Sequence, residues 1–129
     1  MSDNPFVKNF DQLLSNIKQD VQNNEHSLYI ADESNDSIFS KVLVQRLTRE
    51  INGKEVHFVA IRDVDLKENY KGKKLFTAFF KELNSLNINL MFHDIINDKF
   101  YSFIEKQGYK IFKEEKYGEE LISLYKLKQ

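Results

Sequence analysis

Residues 55–86 read EVHFVAIRDVDLKENYKGKKLFTAFFKELNSL, and their reading decides the fold. From Glu55 to Leu66 the pattern is β-type, with Val56, Phe58, Ala60, Val64 and Leu66 on even positions and Val59 and Ile61 on odd ones. The first half is apolar on both faces, as in a central strand covered on both sides. From Asp63 onward the odd positions turn acidic, with Asp63 and Asp65, so the strand is expected to leave the covered sheet and enter a wet cleft. A polar loop follows, containing Gly72. Leu75, Phe76, Phe79, Phe80, Leu83 and Leu86 then recur at helical spacing.

Outward from this strand–loop–helix unit the pattern continues in both directions. Phe39 to Ile51 is a long β run, and Asn52-Gly53 after it is a favoured central pair of a tight hairpin turn. Further upstream, Asn4 as N-cap and Pro5 at the first helical position predict an amphipathic helix over about residues 5–22, with Phe6, Phe10, Leu13, Leu14, Ile17 and Val21 on its core face. Ser27 to Ala31 reads as a short strand and Asp32 to Ser37 as a turn. Downstream, Ile88 to Ile96 is an apolar strand, and Asn97 caps a helix that uses Phe100, Phe103 and Ile104 as its core face. Gly108 sits where a helix C-terminal glycine is expected. Tyr109 to Lys116 and Glu119 to Leu127 read as two final strands joined at Tyr117-Gly118. This order predicts a single α/β (α+β) domain over residues 1–129 with a mixed sheet.

Composition narrows the classes of function. The chain has 129 residues, enough for one domain, and is 41% hydrophobic and 30% charged, so it can bury a core. Nineteen Lys and Arg stand against twenty Asp and Glu, a balance that argues against an extended nucleic-acid surface. There is no cysteine, which excludes disulfides, thiolate metal sites and a cysteine nucleophile, and no metal site is expected. No apolar run approaches the roughly 20 residues needed to span a bilayer, and MSDNPFVKNF does not read as a signal peptide. A soluble, cytoplasmic protein with no membrane partner is expected. The exposed final strands offer an edge for homodimer pairing.

The loop Lys71-Gly72-Lys73-Lys74 opposes its own helix. A helix N-terminus carries partial positive charge, and each cation in the first turn is unfavourable by roughly 0.3–1 kcal/mol. An anion would reverse that sign, because backbone N–H groups, dipole and ammonium groups would all face it. Gly72 permits the turn and a close approach of backbone to ligand.

Residues 55–83 resemble the central signature of the GNAT superfamily of N-acetyltransferases. There the fourth strand runs into a loop of pattern Gln/Arg-x-x-Gly-x-Gly/Ala, whose amides hold the pyrophosphate of acetyl-coenzyme A. This chain has Lys71, Gly72, Lys73, Lys74, Leu75 and Phe76 across those positions. Lys74 stands where the family usually has its first fixed glycine, and Phe76 where it has the second small residue. Asn97 to Tyr109 resembles the family's Asn-x-x-Ala-x-x-Phe/Leu-Tyr-Glu-Lys-x-Gly-Phe, with Asn97, Phe103, Glu105, Lys106, Gly108 and Tyr109 matching. The resemblance covers about residues 38–129.

The resemblance implies a mostly antiparallel central sheet flanked by helices and splayed at its two central strands. It implies acetyl-CoA as co-substrate, with the pantetheine arm against backbone near Val64, Asp65 and Leu66 and the pyrophosphate on Lys71 to Phe76. Asn97 would line the arm, and an amine of a small molecule or protein would enter from the other side of the splay. Acetyl transfer needs a base for the amine, an oxyanion donor, expected near the Leu66 N–H, and an acid for the thiolate. Asp65 and Asp63 at the strand end are the favoured candidate bases, with Glu68, His57 and His93 nearby. His57, on an otherwise apolar face, reads as a core histidine. Many family members have a tyrosine acid where this chain has Ile104, and Tyr101, one helical turn earlier, is the candidate substitute. The alternatives are a GNAT-like domain that has lost catalysis and binds an acyl-coenzyme or a protein partner, and an unrelated small α/β binding module.

Overall fold

The computed structural model describes residues 9–23, 29–32, 38–72, 74–93, 95 and 98–129. Strands β1 (Tyr29–Asp32), β2 (Phe39–Ile51), β3 (Lys54–Leu66), β4 (Leu90–Phe92), β5 (Lys110–Lys116) and β6 (Glu119–Lys126) alternate with helices α1 (Phe10–Asn23), α2 (Leu75–Ser85) and α3 (Asp98–Glu105). The strands form one six-stranded sheet in the order β1-β2-β3-β4-β6-β5. Every neighbouring pair is antiparallel except β3 and β4, which are parallel. The fold is therefore mixed α+β, as the pattern predicts, with the mostly antiparallel sheet that the resemblance implies.

The longest ladder is the β2–β3 hairpin. Its two-residue turn puts Asn52 at φ 53° and Gly53 at φ 81°, the paired positive angles that a type I′ turn demands and that Asn-Gly tolerates best. The described part of α1 begins where Asn9 Oδ1 accepts the Gln12 N–H at 2.9 Å, an N-cap bond. The helix start expected at Asn4-Pro5 lies outside the described residues, as do Ser27 and Leu28 of the first strand and residues 33–37 of the turn.

All three described helices pack on one face of the sheet. Phe10 of α1 stacks on Phe79 of α2 at 4.6 Å and meets Phe39 of β2 edge-on at 5.0 Å. Phe92 of β4 meets Phe80 of α2 at 5.7 Å and Phe100 of α3 at 5.6 Å. Offset and edge-to-face contacts of this kind add roughly 0.5–1.5 kcal/mol each beyond burial. The helix-side core joins these rings to Leu13, Ile17, Val44, Val59, Leu83, Leu90, Ile104 and Leu124.

The opposite face carries no described helix, yet Phe58 and Met91 on it are fully buried. Curvature of the sheet covers them. Arg49 on β2 donates through Nε to Glu114 Oε2 on β5 at 2.8 Å, although β2 and β5 are four strand spacings apart in the sheet. A flat sheet would separate them by about 19 Å, so the sheet must curl towards this face. A second small cluster of Ile51, Phe58, Met91 and Tyr125, with Phe112 packed against it, fills the concavity. Covering on both sides is thus achieved by helices on one face and by the sheet's own bend on the other.

One charge pair ties α1 to the sheet. Asp20 Oδ2 lies 2.7 Å from Arg46 Nε, with side chains 4% and 13% exposed. The guanidinium N–H does not point along this contact, so charge rather than an aligned hydrogen bond holds the pair. Removing one partner of such a pair leaves the other buried and uncompensated, which typically costs about 3–5 kcal/mol. Asp20→Ala is therefore expected to lower urea stability by about 3 kcal/mol, and adding Arg46→Met to recover much of the loss. Additive losses in the double variant would contradict this account.

Candidate functional site

The site is set by where β3 and β4 stop pairing. Their parallel ladder contains Val59↔Leu90, Ala60↔Met91 and Ile61↔Phe92. The last cross-strand bond runs from the His93 N–H to the Ile61 carbonyl at 2.9 Å. Two residues later the Ile95 N–H bonds instead to the Ile122 carbonyl on β6 at 2.8 Å. The chain after β4 thus turns towards β6, while β3 continues to Leu66 paired with β2. This explains why the strand expected over residues 88–96 is regular only over Leu90–Phe92. The two central strands part here, as expected.

A bulge marks the same level on β3. Leu43 pairs with Asp63 and Val44 with Ile61, so Arg62 is the extra residue. A second irregularity on β2, between Phe39 and Lys41, leaves Ser40 extra. Each bulge slips the alternation of side chains by one residue. Val59 and Ile61 face the helices, and beyond the bulge Val64 and Leu66 do so too. The acidic residues consequently do not continue the Val59–Ile61 face, which corrects the straight odd–even reading of the strand. Asp63 pairs with Leu43 and forms an ion pair with Lys41 at 3.7 Å, and Asp65 pairs with Lys41 in the ladder.

Between the parted strands lies a cleft of about 560 Å³. Asp63, Val64, Asp65, Phe76, His93 and Phe100 are among its lining residues. The β3 edge turned away from β2 has no further ladder pair among the described residues, so its peptide groups are available to an extended ligand.

The loop beyond β3 makes one 3₁₀ turn over Glu68–Tyr70, then reaches Gly72 at φ 78° and Lys74 at φ 58°. Lys74 is the N-cap of α2 in the left-handed region and caps no amide with its side chain. Left-handed backbone costs a non-glycine residue roughly 1–2 kcal/mol, and this is the position at which the resembling family carries glycine. The first α2 bond runs from Ala78 N–H to the Lys74 carbonyl, so the N–H groups of Leu75, Phe76 and Thr77 have no partner within the helix. Lys71 Nζ lies 3.4 Å from Glu68 on the exposed surface.

The residues singled out from sequence divide into groups. Asp63, Val64, Asp65 and Phe76 come together on the cleft. Leu66 packs against the helix-side core, and Leu75 borders a separate hollow between α1 and α2. Lys71, Gly72 and Lys74 are exposed on the turn. Lys73 and Asn97 lie outside the described residues. Tyr101 is not among the cleft-lining residues, and its hydroxyl lies 3.4 Å from Glu105 Oε2. Desolvation and the Glu105 carboxylate hold the Tyr101 phenol above its usual value. Ile104 is wholly buried in the core.

The histidines exchange the roles expected of them. His57 is exposed, with Nδ1 2.8 Å from Thr48 Oγ1, because it lies near the end of β3 remote from the parting. His93 is 7% exposed, and both its ring nitrogens are buried without a hydrogen-bond partner among the described residues. Its Nε2 lies 3.4 Å from Glu114 Oε1, off the hydrogen-bond axis. Burial lowers the His93 pKa; Glu114 opposes the shift, and Arg49 and Arg62 add to it. Glu114 carried no sequence signal, because the curl that brings β5 over the β4 end is a property of the whole sheet.

Compared with models of known families, with curated proteins and with solved structures, the chain matches none. Among the described helices, none is long and apolar enough to cross a membrane.

Two measurements follow from this geometry. Lys74→Gly removes a side chain from left-handed backbone and is expected to raise urea stability by roughly 0.5–1 kcal/mol. A loss of stability would mean that the Lys74 side chain holds the turn. For His93, the folded pKa lies below the ordinary 6.5, so the unfolded chain binds the proton first as pH falls. Stability is then full above about 6.5 and declines as pH drops from there towards the folded value. His93→Gln is expected to flatten this part of the stability–pH curve, and an unchanged slope would refute it.

Proposed function

We propose that the chain is a GNAT-type N-acyltransferase that moves an acetyl group from acetyl-CoA to an amine of a small molecule or protein. The observation that carries this reading is the parting of β3 from β4 after Ile61 and Phe92, with the 560 Å³ cleft that it opens. The chemistry of the surrounding groups fits the coenzyme. The pantetheine arm contains amides, and the β3 edge turned away from β2, which has no further ladder pair among the described residues, offers N–H and C=O groups that amides pair with. A pyrophosphate suits the three N–H groups at the start of α2, and Lys71, Lys73 and Lys74 precede them in the sequence. Acetyl-CoA would supply the thioester, whose acyl carbon the amine attacks and whose sulfur leaves. Dependence on acetyl-CoA implies a cytoplasmic location.

A second reading has its own support. Phe76 stands where the resembling family has a small residue, and its ring meets Phe100 at 5.3 Å beside the cleft. Ile104, at the position of the family's tyrosine acid, is wholly buried. These features favour a domain that binds an acyl-coenzyme or a protein partner without turnover.

Calorimetry with acetyl-CoA tests both. Binding is expected with a dissociation constant below about a millimolar. Lys71→Ala with Lys73→Ala is expected to weaken it by roughly tenfold and to reduce its salt dependence, at up to about 1 kcal/mol per charge near a helix start. No binding at millimolar ligand would overturn both readings. Binding without thiol release in the presence of pooled amines would favour the second.

A further inference from the structure

On the helix-free face, a pocket of about 220 Å³ lies over Arg49, Arg62, His93 and Glu114. Arg62 and His93 line this pocket and also line the larger cleft between the parted strands. The two hollows therefore share Arg62 and His93 as wall residues, at the level of the β3–β4 bond made by the His93 N–H itself.

We propose that His93 is the base that takes the proton of the acceptor amine, with Glu114 as its positioning residue; this rests on the acyltransferase reading above. The imidazole is buried, its ring nitrogens have no hydrogen-bond partner among the described residues, and it borders both hollows. The Glu114 carboxylate beside Nε2 is itself fixed by Arg49 at 2.8 Å, so the ring is held from that side. The charged groups that line the two hollows are Arg49 on β2, Arg62 on β3, Glu114 and Lys116 on β5 and Glu119 on β6, with Lys41, Asp63 and Asp65 on the larger cleft; Glu114, Arg49 and Arg62 act on the ring. Burial together with Arg49 and Arg62 keeps the imidazole neutral and able to accept a proton.

The proton balance closes on the protein. As the amine nitrogen forms its bond to the acyl carbon it becomes acidic, and His93 takes its proton. When the carbon–sulfur bond breaks, the electron pair leaves with sulfur, and the imidazolium returns the proton to give the thiol. Amine and thioester become amide and thiol, and His93 ends neutral.

The test combines three measurements on the full chain: NMR titration of the His93 imidazole, calorimetry with acetyl-CoA, and the pH profile of thiol release with primary amines, amino acids and lysine peptides. The expected result is a rate that rises with pH through one inflection below 6.5 that coincides with the titration of His93. His93→Gln is expected to keep acetyl-CoA affinity within about twofold, to lose roughly 100-fold or more in kcat and to lose the inflection. Glu114→Gln, which removes the charge that raises the His93 pKa, is expected to keep the inflection and move it to lower pH. If wild-type protein binds no acetyl-CoA, the acyltransferase reading itself fails. If it binds but releases no thiol with any of these amines, the catalytic assignment is overturned. It is overturned equally by a His93 that titrates at or above 6.5, or by His93→Gln turning over as wild type does. Should His93→Gln fail to fold, the coincidence of the two wild-type titrations and the Glu114→Gln shift decide the matter.

Discussion

The parallel ladder between β3 and β4 ends after three residue pairs, and the rest of the site depends on that ending. Parallel strands in the middle of a sheet are ordinarily covered and paired along their length. Here the chain after Phe92 gives the His93 amide to Ile61 and, two residues on, the Ile95 amide to Ile122 on β6. The Arg62 bulge twists β3 at the same level. Beyond Ile61 the β3 edge turned away from β2 has no further ladder pair among the described residues, and a cleft lies beside it. Phe92, the last paired residue of β4, anchors the parting by packing between Phe80 and Phe100, so both α2 and α3 are held to the strand at that level.

The two faces of the sheet solve the covering problem differently, and the difference shapes the chemistry. On the helix face, aromatic packing surrounds a few paired polar groups, the Asp20–Arg46 pair and the Tyr109 hydroxyl bonded to Asn84 among them. On the other face, the bend that hides Phe58 and Met91 also brings Arg49 of β2 to Glu114 of β5 and places both beside His93. A charged cluster in such a concavity is partly desolvated, which strengthens its internal interactions and shifts protonation of its weakest base. The cluster is therefore a consequence of sheet curvature, and the curvature is in turn supported by the Arg49–Glu114 bond.

Much of the architecture is legible in the chain. Asn52-Gly53 announces the hairpin because few other pairs accept two positive φ angles in succession. The apolar spacing from Leu75 to Leu83 announces α2, since only a helix brings those residues to one face. The candidate site is legible in part: Asp63, Val64, Asp65 and Phe76 do meet on one cleft. The phase of Asp63 and Asp65 was not legible, because a bulge leaves no residue signature at Arg62 and inverts every side chain beyond it. The regular length of β4 was not legible either: among the described residues the His93 amide goes to Ile61 on β3 and the Ile95 amide to Ile122 on β6, a choice of partner that no residue type announces.

By itself the sequence determined the kinds and order of the elements, the tight turn at Asn52-Gly53, and a lysine-rich loop between a buried strand and a helix. These are local properties, set by backbone preference and side-chain periodicity over a few residues. Tertiary structure alone decided that β6 lies between β4 and β5, that the sheet curls, and that His93 rather than His57 is the buried imidazole. The reason is physical. Burial and proton affinity depend on which distant charges surround a ring, and Arg49, Arg62 and Glu114 reach His93 only after the whole sheet has bent around it.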